Sequence, residues 1–167
     1  NLIGVYNYSN IAAAISIGAY FKVSKEAIKE AIESYVPQNN RSQIIETANN
    51  KIILDAYNAN PSSMKVALEN FAAIKTDTKV VIMGDMFELG EESLNEHQAI
   101  VDLATSLKFD KIFLVGENFH QTATKNHQFR SYNLLEAYIK KNPLEKQSIL
   151  IKGSRGMRLE RILGVIN

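Results

Sequence analysis

Three short runs, Val80-Val81-Ile82-Met83, Ile112-Phe113-Leu114-Val115 and Ile149-Leu150-Ile151, are apolar at every position rather than at every second one. Strands with that pattern must be covered on both faces, the situation of a parallel sheet buried between helices. The segments around them supply the helices. Met64, Ala67, Leu68 and Phe71 recur at helical spacing, as do Ile100, Leu103, Ala104 and Leu107, and again Leu134, Leu135, Tyr138 and Ile139. Strand alternating with helix predicts an α/β, Rossmann-like, mainly parallel sheet with right-handed crossovers. Ahead of it, Gln43 to Thr47 and Lys51 to Asp55 flank Asn49-Asn50, a pair that tolerates left-handed turn conformations, so a β-hairpin should open this domain. A last helix is expected over Arg158 to Ile166.

The first 36 residues read differently. Ser24 can cap a helix whose apolar face is Ala27, Ile28, Ala31, Ile32 and Tyr35, ending before Pro37, and a second apolar helix runs from Ile11 to Phe21. Two short helices and a strand stub at Leu2 to Val5 cannot close a core alone. Residues 1–36 are therefore expected to be the tail of another domain, 37–42 a polar linker, and 43–167 the α/β domain. The chain opens on Asn1, so any targeting signal upstream is not legible. The Ile11 to Phe21 stretch is shorter than the roughly 20 residues that span a bilayer, so membrane insertion is not expected. With 19 Lys and Arg against 18 Asp and Glu, no global field recruits nucleic acid, and any anion site must be local. No cysteine is present, which excludes disulfides and thiolate metal sites.

Open α/β sheets bind ligands beyond the carboxyl ends of their strands, and the loops there hold the unusual residues. Asp55 to Met64 follows the hairpin. Within it, Asn60 and Pro61 are explained as a helix cap and first helical residue, whereas Asp55 and Asn58 at a strand mouth suit ribose hydroxyls or a phosphate neighbour. Gly84-Asp85-Met86-Phe87-Glu88-Leu89-Gly90 can form a tight, substrate-facing loop, although an ordinary loop with solvated acids fits the same residues. His97 reads as a surface or capping histidine. Lys152-Gly153-Ser154-Arg155 leads into the last expected helix and combines two cations, a hydroxyl and helix-terminal amides, a good local anion site. No P-loop and no G-x-G-x-x-G string occurs in the chain; the two carboxylates of the Gly84 to Gly90 loop make a metal site conceivable there, whereas neither His120 nor His127 belongs to a recognisable ligand spacing.

Taken together, these strings resemble the Mur ligase family, in its D-alanyl-D-alanine-adding branch, over essentially the whole chain. Gly4 to Ala14 resembles the end of that family's central ATPase domain, where asparagines contact adenine; by this match Asn7 and Asn10 face the nucleotide, with Tyr6 standing where histidine is usual. Arg41 resembles the arginine after the interdomain linker, with Asn40 in place of the usual glycine. Asp55 to Met64 resembles D-x-Y-N-A-N-P-x-S-M, Gly84 to Gly90 resembles G-D-M-x-E-L-G, and Lys152 to Glu160 resembles K-G-S-R-x-M-x-x-E. The resemblance implies a nucleotide set of Asn7, Asn10, Arg41, Asp55, Asn58 and Asn60, and a substrate set of Gly84, Asp85, Lys152, Ser154 and Arg155. It implies a cytoplasmic, monomeric, ATP- and Mg2+-dependent ligase acting on a UDP-N-acetylmuramoyl-tripeptide and D-alanyl-D-alanine. The P-loop and the Mg2+ ligands would lie upstream, with no catalytic residue in this chain. Two alternatives stand beside this: a stand-alone Rossmann-like anion-binding module without catalysis, and a different Mur or folylpolyglutamate-type ligase.

Overall fold

The computed structural model describes residues 7–166; the strand expected at Leu2 to Val5 and the first residues of the adenine-type pattern, Gly4 to Tyr6, lie outside the described residues. Two helices come first, α1 (Asn7–Tyr20) and α2 (Lys25–Ser34), with Ser24 Oγ accepting the Ala27 amide at the start of α2. The hairpin β1 (Gln43–Glu46) and β2 (Asn50–Asp55) follows, then α3 (Pro61–Ala73), β3 (Lys79–Gly84), α4 (Ser93–Ser106), β4 (Lys111–Val115), α5 (Glu117–His120), β5 (His127–Phe129), α6 (Tyr132–Lys141), β6 (Gln147–Lys152) and α7 (Leu163–Ile166). Among the described residues one sheet holds six strands in the order β1-β2-β6-β3-β4-β5, antiparallel only between β1 and β2.

Because side chains alternate across a strand, a continuous apolar run feeds two cores at once. Ile53, Val81, Met83, Leu114 and Leu150 face α3 and α4, meeting Met64, Leu68, Phe71, Ile100, Val101 and Ala104. Ile52, Leu54, Val80, Ile82, Phe113, Ile149 and Ile151 face α6 and the C-terminal turns, meeting Leu135, Ile139, Leu159, Ile162 and Ile166. Each such side chain contributes about 1.5–3 kcal/mol on burial, so both layers are needed to hold the sheet. By contrast, α1 buries only Asn7 and leaves Ile15, Ile17 and Tyr20 exposed, as is Phe21 just after it.

Three local expectations are corrected. The hairpin turn does not use left-handed Asn49-Asn50; instead Thr47 Oγ1 accepts the amides of Asn49 and Asn50, and β2 already begins at Asn50. No continuous helix covers Arg158 to Ile166: two 3-10 turns, Arg155–Met157 and Leu159–Ile162, precede α7, and Arg158 between them has φ 51, a left-handed conformation that no right-handed helix passes through. The free helix terminus expected beside Ser154 is therefore absent. A sixth strand, β5, was not anticipated.

Asn50 fastens the end of the chain to the sheet. Its Nδ2 donates to the carbonyls of Leu144 and Ile166, both at 2.8 Å, and its Oδ1 accepts the Gln147 amide at 3.1 Å, all in a buried position. Asn50→Ala strands these groups, and each buried unpaired one costs about 1–3 kcal/mol. The expected loss is roughly 3 kcal/mol of unfolding free energy, read from the urea midpoint; a loss below about 1 kcal/mol would show that Asn50 does not anchor the C-terminus.

Candidate functional site

In a parallel sheet the strand registers decide which side chains meet at the carboxyl edge. Asp55, the last residue of β2, is paired in register with Lys152, the last of β6, and β3 continues alongside with Met83 opposite Lys152. Lys152 is only 3% exposed, and its Nζ donates to Asp55 Oδ2 at 2.7 Å and to the Asn58 carbonyl at 3.1 Å. The other oxygen of Asp55 accepts the amide of Ser42, at 3.1 Å, and so ties the linker to the sheet. Asn39, Asn40 and Ser42 in that linker all have positive φ, near 60, 59 and 47 degrees.

A cleft of about 960 Å³ opens above this pair, between the helical segment and the sheet edge. Asn7, Asn10, Arg41, Asp55, Asn58, Asn60 and Lys152 all line it. The whole expected nucleotide set therefore meets in one place, although it comes from three separate segments of the chain. Asn10 donates to Asn7 through side chains at 3.3 Å. Asn60 caps α3 in a capping box, accepting the Ser63 amide at 2.8 Å, with Pro61 opening the helix. Arg41 stacks on Tyr57, its guanidinium carbon 3.8 Å from the ring centroid.

The expected substrate set does not gather in the same way. Gly84 is enclosed at the end of β3, where a Cβ would press on Leu159, so it is a packing glycine. Asp85 is buried: its two carboxylate oxygens accept the amides of Asn118 and Phe119, its own amide donates to the Val115 carbonyl, and its carbonyl accepts the amide of Ser154. One residue thus joins the ends of β3, β4 and β6. Gly116 passes so close to the Asp85 carboxylate, at φ 126, that no side chain fits there. Ser154 is also buried, and its Oγ accepts the Phe87 amide at 3.1 Å. The point charge expected of Lys152 at a substrate carboxylate is not free, because β6 sets it against Asp55. Of the five, Arg155 alone is exposed.

His97 is corrected from a surface residue to a fully buried one. Its Nδ1 lies 2.6 Å from the Ser93 carbonyl and must donate there, so Nε2 accepts the Met86 amide at 3.0 Å. The approach of Nε2 to Asp85 Oδ1 at 3.8 Å is consequently not an ion pair, since that nitrogen carries no proton. His97 and Ser154 hold the loop after β3 from two sides. Tyr57 is a site residue that the sequence reading did not single out: the available signal is an exposed aromatic directly before Asn58 at a strand mouth.

Residues 40–155 match the family described as Mur ligase, glutamate ligase domain. The UDP-N-acetylmuramoyl-tripeptide--D-alanyl-D-alanine ligase of Bacillus subtilis is 31% identical over 97% of this chain and 38% of its own length. A crystal structure of MurF from Acinetobacter baumannii superposes with a TM-score of 0.80 at 32% identity, covering 96% of this chain and 37% of that one. The MurF ligase of Thermotoga maritima in complex with ADP has a TM-score of 0.78 at 21% identity over 94% of this chain and 36% of that one, a likeness of fold. The chain thus spans little more than a third of the length of the relatives it matches.

Removing one partner of a buried ion pair costs about 3–5 kcal/mol, less where the partner left behind is partly solvated. Asp55 retains some exposure. Lys152→Met is expected to destabilise the fold by about 2 kcal/mol, and adding Asp55→Asn to it should recover part of that loss. Additive effects in chemical denaturation would show that the pair does not hold the edge together.

Proposed function

The chain belongs to the Mur ligase family, and we propose that within it the chain forms the C-terminal portion of an ATP-dependent amide ligase joining D-alanyl-D-alanine to UDP-N-acetylmuramoyl-tripeptide. The observation that carries this reading is the single cleft where Asn7 and Asn10 of α1 face Arg41, Asp55, Asn58 and Asn60 across the linker. It is supported by relatives of that activity, alike over nearly the whole of this chain. Residues 1–36 would end the central ATP-binding domain, and 43–167 would be the C-terminal domain.

In such a ligase the terminal carboxylate of the tripeptide takes the γ-phosphoryl group of ATP, the free amine of the dipeptide attacks the acyl phosphate, and phosphate leaves as the amide forms. This chain would supply orientation, which can lower a barrier by several kcal/mol. Asn7 and Asn10 present amide donors and acceptors that match the edge of a purine. Asp55 and Asn58 frame the ribose and phosphate region, and Arg41, always charged, reaches for the phosphates. Asn60 keeps the start of α3 in place. On the substrate side, Arg155 is the cation able to grip the dipeptide carboxylate in bidentate fashion, on a loop framed by Gly84, Asp85 and Ser154; Lys152 acts through Asp55.

Mg2+ would shield the phosphate charge. Among the described residues no three His, Asp or Glu side chains cluster as its ligands, so no step here is derived through it. The P-loop and metal ligands belong, in this reading, to the additional length that the relatives possess. No helix among the described residues is long and apolar enough to cross a membrane, and we place the enzyme in the cytoplasm as a monomer.

The chain on its own should release no phosphate from ATP in response to D-alanyl-D-alanine; dipeptide-dependent release would sink the division of labour proposed here. In the full-length enzyme, Arg155→Ala is expected to raise KM for D-alanyl-D-alanine roughly tenfold to a hundredfold, the cost of one charge-assisted contact, with KM for ATP nearly unchanged. An Arg155→Ala enzyme that lost ATP affinity and kept its dipeptide kinetics would hand that loop to the nucleotide.

A further inference from the structure

Tyr57 carries two guanidinium groups. Arg41 lies 3.8 Å from the ring centroid and Arg155 lies 5.3 Å from it. The three residues come from the linker, the loop after β2 and the loop after β6. They also line a second cavity of about 850 Å³, together with Ser34, Gln38 and Asn39, and Arg41 and Tyr57 line the first cleft as well. The Tyr57–Arg41 stack is therefore the partition between the two cavities, with Arg155 on the far side only.

Among the described residues neither arginine has a carboxylate partner or a side-chain hydrogen bond that would fix it. A guanidinium on a long, free stem samples many rotamers and presents its donors poorly. The negative face of an aromatic ring restrains it without consuming those donors, which stay in the guanidinium plane and point outward. Two cations brought close also repel, and a shared electron-rich ring moderates that repulsion. Tyr57 is itself the middle of the strand-mouth loop, whose position the Lys152 contacts to Asp55 and Asn58 set from below.

We propose that Tyr57 is a positioning residue that presents Arg41 to the nucleotide phosphates and Arg155 to the substrate carboxylate from one ring, so that the two sites share a single platform. This rests on the ligase reading above. The ring face performs the task; the phenol hydroxyl does not.

The test is steady-state kinetics on the full-length ligase. Tyr57→Leu removes the ring and should raise KM for both ATP and D-alanyl-D-alanine roughly two- to fivefold each, the scale of an exposed cation–π contact, with kcat within about twofold and an unchanged melting temperature. Tyr57→Phe should recover most of both losses. In an Arg155→Ala background, Tyr57→Leu should no longer move the dipeptide KM while still moving that for ATP. Unchanged KM values in Tyr57→Leu, or a Tyr57→Phe as impaired as Tyr57→Leu, would overturn the proposal. NMR of 15N-arginine-labelled full-length protein separates it from the functional reading: ring-current shifts at Arg41 and Arg155 should vanish in Tyr57→Leu and persist in Tyr57→Phe. Shifts that survive Tyr57→Leu overturn the platform. An enzyme with both shifts that ligates no D-alanyl-D-alanine overturns the functional reading and supports the platform.

Discussion

A lysine ammonium that is almost entirely withdrawn from water is tolerable only against an opposite charge, and Lys152 has one in Asp55 at 2.7 Å. The two are the final residues of neighbouring parallel strands, so the register of β2 on β6 creates the pair without help from any loop. A carboxylate has two oxygens, and here they do different things. One neutralises Lys152; the other accepts the Ser42 amide and holds the linker against the sheet edge. The floor of the cleft, the loop bearing Tyr57 and the path of the chain from the helical segment all hang on this one group. A one-residue slip of β2 would bury an apolar side chain at the mouth and turn the charge toward a core layer.

Asp85 does the equivalent work on the other side of the edge, capping α5 and bridging the ends of β3, β4 and β6. Both acids lie at strand mouths, where substrate-touching carboxylates are looked for, and both are committed to the frame. The exposed groups are of another kind: Arg41, Tyr57 and Arg155 offer planar donors and a ring at the surface. Fixed interior charges thus set the backbone, while exposed side chains with free donors are left for ligands. Such an arrangement suits anions, because among the described residues neither Arg41 nor Arg155 is paired with a carboxylate.

The core was legible because its rule is simple: residues that must be dry on both faces are all apolar, and Val80 to Met83, Ile112 to Val115 and Ile149 to Ile151 fall within three central strands. The edge strand β5 was not, since His127-Gln128-Phe129 is three residues long and has no pattern to detect. The C-terminal helix is broken at Arg158, whose left-handed backbone leads directly into Leu159 and Ile162 in the core, a tertiary arrangement invisible in local spacing. At the site, the segments that line one cleft could be named individually from the sequence. What each side chain does could not. Neither the burial of His97 nor the commitment of Lys152 follows from spacing along the chain, because both depend on residues 11 and 97 positions away.

The linker shows how a departure from a pattern can still satisfy its physics. At position 40, where the family resemblance leads one to expect glycine, this chain has Asn40, with φ near 59 degrees. Glycine is the default in that region because it lacks the Cβ that collides with the following carbonyl. Asparagine is the next best choice, its short amide compensating locally for the collision. Asn39, at φ near 60 degrees, uses the same tolerance. Asn40 thus adopts the left-handed backbone itself, and Arg41 follows it onto the face of Tyr57. Compared with glycine, asparagine has fewer unfolded conformations to lose, which offsets part of the strain of carrying a side chain at positive φ. Since α1 and α2 line one side of the cleft and the sheet edge lines the other, residues 39 to 42 set the path of the chain between its two walls.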